Sequence, residues 1–195
     1  MLVLVVFGIA LVLSLLTGGR LRNALNWRLR GLPIALAVFV LQTLLFTERG
    51  VSFVGEPFVP VLYIATMGIL FAFLFLNRRV PGVQVLLAGL MLNMLVIGAN
   101  GGRMPASSEA LTRAGRIAEA QWLQENVKAA NCILMSTATR LNALGDYVVI
   151  RLNSSVGSAY SIGDLVALTG EGLLIFFMVR TGSDRFPERK EASSK

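Results

Sequence analysis

Five long apolar runs, separated by charged or glycine-rich connections, organise this chain. Residues 2–16 are interrupted only by Ser14, and residues 32–46 only by Gln42 and Thr43. Residues 58–76 form the longest and most aromatic run. Residues 83–99 carry Gln84 and Asn93, and residues 162–179 carry two acids, Asp164 and Glu171. A helix that is apolar on every side belongs in lipid. Crossing roughly 30 Å of hydrocarbon takes about 20 residues, fewer where a bilayer thins. The pattern predicts an all-α integral membrane protein, a single membrane domain over residues 1–195 with five transmembrane helices.

The connection 100–161 is too long to be a simple turn. Leu123, Val127, Ala130, Leu134, Ala138 and Leu141 recur at spacings of 4, 3, 4, 4 and 3, which predicts an amphipathic helix on this outer-side loop. Ser107 or Ser108, behind Pro105 and ahead of Glu109, is the N-cap candidate. Residues 145–150 are β-branched and read as an extended segment leading back to the membrane. Cys132 falls inside the expected helix as a small packed residue with no base beside it.

Composition sharpens this reading. The chain is 55% hydrophobic and 15% charged, with a mean hydropathy of +0.69. Soluble domains carry about 25% charged residues. With no histidine and one cysteine, Ser-His-Asp and Cys-His catalysis, imidazole-held haem or zinc, and an intrachain disulfide are excluded. No metal or cofactor is implied. Arg20, Arg22, Arg28, Arg30, Arg78, Arg79 and the tail residues Arg180, Arg185, Arg189, Lys190 and Lys195 fall on one side of a five-span topology. Basic loops stay cytoplasmic, so the N-terminus is expected outside and the C-terminus inside. The net charge of +7 then needs only anionic membrane lipids as partner, and no nucleic acid.

Ionisable residues within a span cost about 2.5–3.5 kcal/mol each on insertion scales, so they are functional candidates. Asn93 lies seven residues before Asn100, and Glu171 seven after Asp164. If Asn100 and Asp164 share the outer boundary, Asn93 and Glu171 share mid-membrane depth and pair, as packing glue or as a relay. Gly163 and Gly170, and Ala65, Gly68 and Ala72, are small stripes that let another helix approach. At the outer end of the fourth run, Asn100, Gly101, Gly102 and Arg103 form a binding candidate, with a helix C-cap turn as the plainer reading.

Three motifs carry a resemblance. Asn-Gly-Gly-x-Met-Pro at 100–105, Leu-Gly-Asp at 144–146 and Ser-Ile-Gly-Asp at 161–164 resemble a bacterial family of uncharacterised polytopic membrane proteins, a domain of unknown function. The likeness runs along the whole chain and implies a protein of the bacterial cytoplasmic (inner) membrane, without an activity. The last third also resembles the lipoprotein signal peptidases, membrane aspartyl proteases. That likeness implies a catalytic dyad of Asp146 and Asp164, eighteen residues apart, and Asn100-Gly101 echoes an upstream motif. Two departures stand against it: those enzymes have four spans, and the arginine after their first aspartate is Tyr147 here.

Three functions follow. The scarcity of sharp motifs favours a non-enzymatic accessory or structural membrane subunit, with a membrane-protein partner or a second copy against it. The alternatives are a membrane-embedded aspartyl hydrolase using Asp146 and Asp164, and a small-solute or proton-coupled transporter using Glu171 and Asn93. A hydrolase needs converging carboxylates, a transporter a polar cavity at mid-membrane, and a subunit a large apolar face.

Overall fold

A computed structural model describes residues 2–129, 131–153 and 157–181. The tail residues Arg185, Arg189, Lys190 and Lys195, and Ala130 of the expected amphipathic face, lie outside the described residues. The apolar runs become the helices α1 (Leu2–Leu16), α3 (Leu32–Leu45), α5 (Val59–Leu76), α6 (Val83–Ala99) and α9 (Ile162–Thr181), with short helices α2 (Leu21–Leu25) and α4 (Glu48–Val54) between them. Two segments, Glu56–Leu76 and Ile162–Thr181, are long and apolar enough to cross a membrane. The other three are apolar but shorter, at 15, 14 and 17 residues. At 1.5 Å per residue these reach roughly 21–26 Å.

The long helices pack in the order α1–α9–α6–α5–α3. Their outward faces keep large apolar side chains in the open, such as Leu4, Leu16, Phe39 and Val61, each more than 60% exposed. The tightest seam joins α6 to α9. Gly82 and Gly89 on one helix face Gly170 and Gly163 on the other, so a stripe with a seven-residue spacing occurs on both partners. A Cβ on Gly89 would sit 2.5 Å from the Gly163 carbonyl, and one on Gly170 would sit 2.3 Å from the Leu86 amide. The backbones themselves are in contact there. The stripe expected on α5 makes no such seam, because a Cβ on Gly68 meets nothing within 4 Å.

The last four carbonyls of α9 have no partner within their own helix, and the segment 20–27 supplies donors to them, while α1 reaches a carbonyl one turn earlier. Ser14 Oγ donates to Phe176 O at 3.0 Å, Asn23 Nδ2 and the Arg20 amide to Val179 O at 2.9 Å each, and Trp27 Nε1 to Met178 O at 3.2 Å. Gln42 of α3 donates to Thr66 of α5 at 2.9 Å. Two of the three polar interruptions of the first two runs, Ser14 and Gln42, are therefore interhelical ties, while Thr43 donates to Phe39 O within its own helix.

Between α6 and α9 the chain builds a small cap, and here the all-α expectation is corrected. Strands β1 (Met104–Ala106), β2 (Lys128–Ala129) and β3 (Cys132–Leu134) form a sheet in the order β1-β3-β2, with β1 and β3 parallel. Strands β4 (Val148–Arg151) and β5 (Gly157–Tyr160) form an antiparallel hairpin. Two short helices, α7 (Ser108–Arg113) and α8 (Ile117–Asn126), cover the sheet, and the Ser107 hydroxyl caps α7 by accepting from the Ala110 amide at 3.2 Å. The single amphipathic helix expected along 123–141 does not form. Of its apolar face only Leu123 lies within α8. Val127 ends that helix at φ 62°, Leu134 is in β3, and Leu141 has φ 57°. The reason is non-local. After Val127, β2 pairs with β3 and β3 pairs with β1, more than twenty residues away, and such pairing overrides local helical spacing.

Ala106, Ala110, Leu111, Ala120, Leu123 and Ala159 form the core of the cap. A second cluster of Met67, Val96, Ile97 and Met104, with Tyr63, Met94 and Leu144 against it, joins the cap to the helices.

Candidate functional site

The site lies where the cap meets the start of α9. Ser161-Ile-Gly-Asp164 closes a capping box, the arrangement in which an N-cap hydroxyl and an acid three residues later satisfy each other's backbone donors. The Asp164 amide donates to Ser161 Oγ at 2.9 Å, and the Ser161 amide to Asp164 Oδ2 at 3.1 Å. Asn93 of α6 completes the group. Its Nδ2 donates to Asp164 Oδ1 at 2.7 Å, and its Oδ1 accepts from the Ser161 hydroxyl at 2.9 Å. Ser161 is fully buried. Only glycine fits at 163, since a Cβ there would stand 1.9 Å from Asn93 Oδ1.

Asn93 therefore pairs with Asp164 and not with Glu171, which corrects the expected pairing. Glu171 lies seven residues further along α9, roughly 10 Å of rise. The depth argument failed because α6 and α9 do not end level. The Asn93–Gly163 contact sits at the first turn of α9 but almost two turns before the end of α6. The relay reading loses its second member.

Asp146 enters from the cap. Its amide donates to Pro105 O at 2.8 Å and its carbonyl accepts from the Ser107 amide at 2.9 Å, so it extends the sheet beyond β1. Leu144, two residues earlier, is anchored in the cluster that joins cap to helices. The Asp146 side chain has a buried Oδ1 with no hydrogen-bond partner among the described residues. Burial pushes its carboxyl up to about 8, and the nearby Asp164 and then Glu119 carboxylates push the same way. At neutral pH Asp146 holds its proton. Cys132 of β3 is driven up to about 12, first by burial and then by Asp146, which leaves a thiol and no nucleophilic thiolate. Its Sγ lies 3.7 Å from Asn131 Oδ1.

The Asn100–Arg103 segment divides in two. Asn100 pins the far side of the cap, donating from Nδ2 to Arg140 O and accepting at Oδ1 from the Arg140 amide, both at 2.8 Å. Gly101 and Gly102, at φ 65° and 86°, make the turn that ends α6, and Gly102 presses on Pro60. Those three residues serve the turn and the docking of the cap. Arg103 is different: it is buried, ion-paired to Glu56, and its Nε has no partner among the described residues.

Sequence reasoning missed Ser161, Glu56, Trp122 and Lys128. The S-x-x-D spacing was a readable signal for Ser161. Glu56 is 47 residues from Arg103 and carries no local signal. Among the described residues no group of three His, Cys, Asp or Glu side chains is placed to hold a metal.

A model of a family of unknown function, DUF5317, matches residues 26–178. An uncharacterized protein of Thermotoga maritima is 29% identical over 184 residues, covering 94% of this chain and 95% of that protein. No solved structure matches the chain.

Proposed function

This chain belongs to the family of unknown function DUF5317, and we propose that it is a five-span inner-membrane protein whose cap carries an acid–base site of Asp146 and Asp164. The exposed apolar faces of α1, α3 and α5 support the membrane reading, because water would not tolerate them and lipid would. The distribution of arginines and lysines supports an outside N-terminus and cap. In a Cys132→Ser background, a cysteine at position 108 should label from outside intact cells and one at position 193 should not. Outside labelling at 193 reverses the orientation.

One arrangement carries the chemical reading: Asp146, with a buried oxygen unpartnered among the described residues, lies within electrostatic reach of an Asp164 held by Ser161 and Asn93. Such asymmetry separates an acid from a base in one site. In a hydrolase, the Asp164 carboxylate is placed as the base that takes a proton from water as its oxygen attacks a carbonyl carbon. Asp146 gives its proton to the carbonyl oxygen. Collapse of the tetrahedral species then sends a proton to the leaving amine and breaks the C–N bond. The reacting bond lies at the membrane boundary, which suits a membrane-anchored peptide. The test is cleavage of such peptides by the purified protein in lipid nanodiscs. Asp146→Asn and Asp164→Asn should each abolish turnover while the protein still purifies folded. Turnover should fall as pH rises past about 8, where Asp146 loses its proton. Full activity in either variant ends this reading.

A second reading, a non-enzymatic subunit, draws on a separate observation. Both Asp164 oxygens already accept hydrogen bonds that cap α9 and fasten α6. Under that reading Asp164→Asn impairs only stability, and the exposed faces of α1 and α3 take a membrane partner that cross-linking in membranes would capture.

A further inference from the structure

A pocket of about 530 Å³ opens between the cap and the start of α5, lined by Glu56, Pro57, Arg103, Trp122, Asn126 and Lys128. We propose that it binds an anionic phosphate ester, either the phosphodiester of an anionic lipid headgroup or a soluble phosphate ester. Arg103 has five N–H donors. Glu56 engages Nη2, Nε is buried without a partner among the described residues, and the side chain is 10% exposed. A guanidinium this buried with donors unmet lacks acceptors. Lys128 adds a second positive charge from the edge strand β2. Arg103 and Lys128 against Glu56 leave the pocket one positive charge in excess, which matches the single negative charge of a phosphodiester. The guanidinium fork suits paired phosphate oxygens.

The walls point to the same ligand class. Trp122 and Pro57 give apolar surface beside the charges, as a glycerol or sugar ester of phosphate requires. Phe58, at the start of α5, is 65% exposed, and Phe53, in α4, is 92% exposed. These exposed aromatics flank the pocket residues Glu56 and Pro57 in sequence, and an apolar surface there suits contact with lipid. The site itself stands on the pocket and its charges. Only the lipid source of the phosphate rests on the membrane placement proposed above.

Trp27 and Trp122 are the two tryptophans, so a Trp27→Phe protein reports from the pocket alone. It would be reconstituted in phosphatidylcholine nanodiscs, with or without phosphatidylglycerol, and Trp122 emission followed. A change with phosphatidylglycerol is expected, weakened about tenfold or more by Lys128→Gln, the loss typical of a hydrogen bond to a charged group. Arg103→Lys, which keeps the charge opposite Glu56 but removes the fork, should weaken it similarly. A change instead on adding glycerol 3-phosphate to phosphatidylcholine discs assigns the site to a soluble phosphate ester and also supports it. No change with either ligand, or a change indifferent to both variants, overturns the proposal. Binding in detergent by glycerol 3-phosphate without membrane insertion would retain this site while the membrane reading fails.

Discussion

At the mouth of α9 the polar atoms of Ser161, Asn93 and Asp164 answer one another, while at the cap's edge Asp146 keeps a buried oxygen that has no hydrogen-bond partner among the described residues. The two aspartates share an end of the molecule and a chemical type, yet their backbones assign them opposite conditions. Asp164 sits at the third position of a helix, where the Ser161 amide and the Asn93 side chain both donate to its carboxylate. Asp146 sits on the rim of a sheet, its backbone bonds spent on Pro105 and Ser107, and its buried Oδ1 meets no donor among the described residues. Burial without partners keeps an acid protonated.

The largest way to break this contrast is through Gly163. Gly163→Leu drives a side chain into Asn93 and should destroy the matched mouth, costing about 3 kcal/mol or more from overpacking and lost hydrogen bonds. Gly68→Leu, on the α5 stripe with nothing around it, should be nearly neutral. Thermal unfolding of both variants in the same detergent compares them, and equal losses would refute the close seam.

The unmatched side is sharpened by pH. The Asp146 carboxyl stands at about 8 in the fold against an ordinary 3.8. Between those values the folded state holds a proton that the unfolded chain releases, so stability falls as pH rises. The slope is at most about 1.4 kcal/mol per pH unit. Below pH 4 both states are protonated and the penalty vanishes; above pH 8 it is complete. Chemical denaturation at several pH values should show the slope, and Asp146→Asn should flatten it.

Smaller effects test each half alone. Ser161→Ala removes the cap hydroxyl and should cost about 1 kcal/mol, read as a lower unfolding midpoint. Cys132 should resist alkylation at pH 8 while folded and react on denaturation, because its thiol stands near 12. Rapid reaction in the folded protein would show the cap's interior to be open.

The helices were legible because each depends on local pattern: a run of apolar residues stopped by Gly31, Gly82 or the turn at Asn100–Gly102 marks nearly the ends observed. The cap was not, for three physical reasons. Its strands are two to four residues long, too short for a period-two pattern. The β1–β3 pairing joins Met104 to Cys132, which local spacing cannot express. Val127 and Leu141 adopt positive φ, a region that their side chains disfavour and that only tertiary contacts enforce. At the site, the interhelical role of Asn93 was legible and its partner was not, because the unequal reach of α6 and α9 is a property of the cap between them. Arg103 stood out beside its glycines, but Glu56, Trp122 and Lys128 come from three separate segments and meet only in the fold.

The seam between α6 and α9 also has a consequence for the order of assembly. Its contacts link Gly82 to Leu174 and Asn93 to Gly163, so seventy or more residues must be made after Asn93 before the first of them closes. At about 5–20 residues per second of synthesis, the glycine notches of α6 wait several seconds without a partner. In the five-span arrangement α9 is also the less apolar of the two longest segments, at mean hydropathy 1.8 against 2.4. It carries Asp164 into a position where Asn93 is already waiting. On the proposed five-span reading, insertion of the last helix is expected to depend on the earlier one. A truncated chain lacking α6 should leave α9 outside the bilayer, whereas α5 should enter unaided.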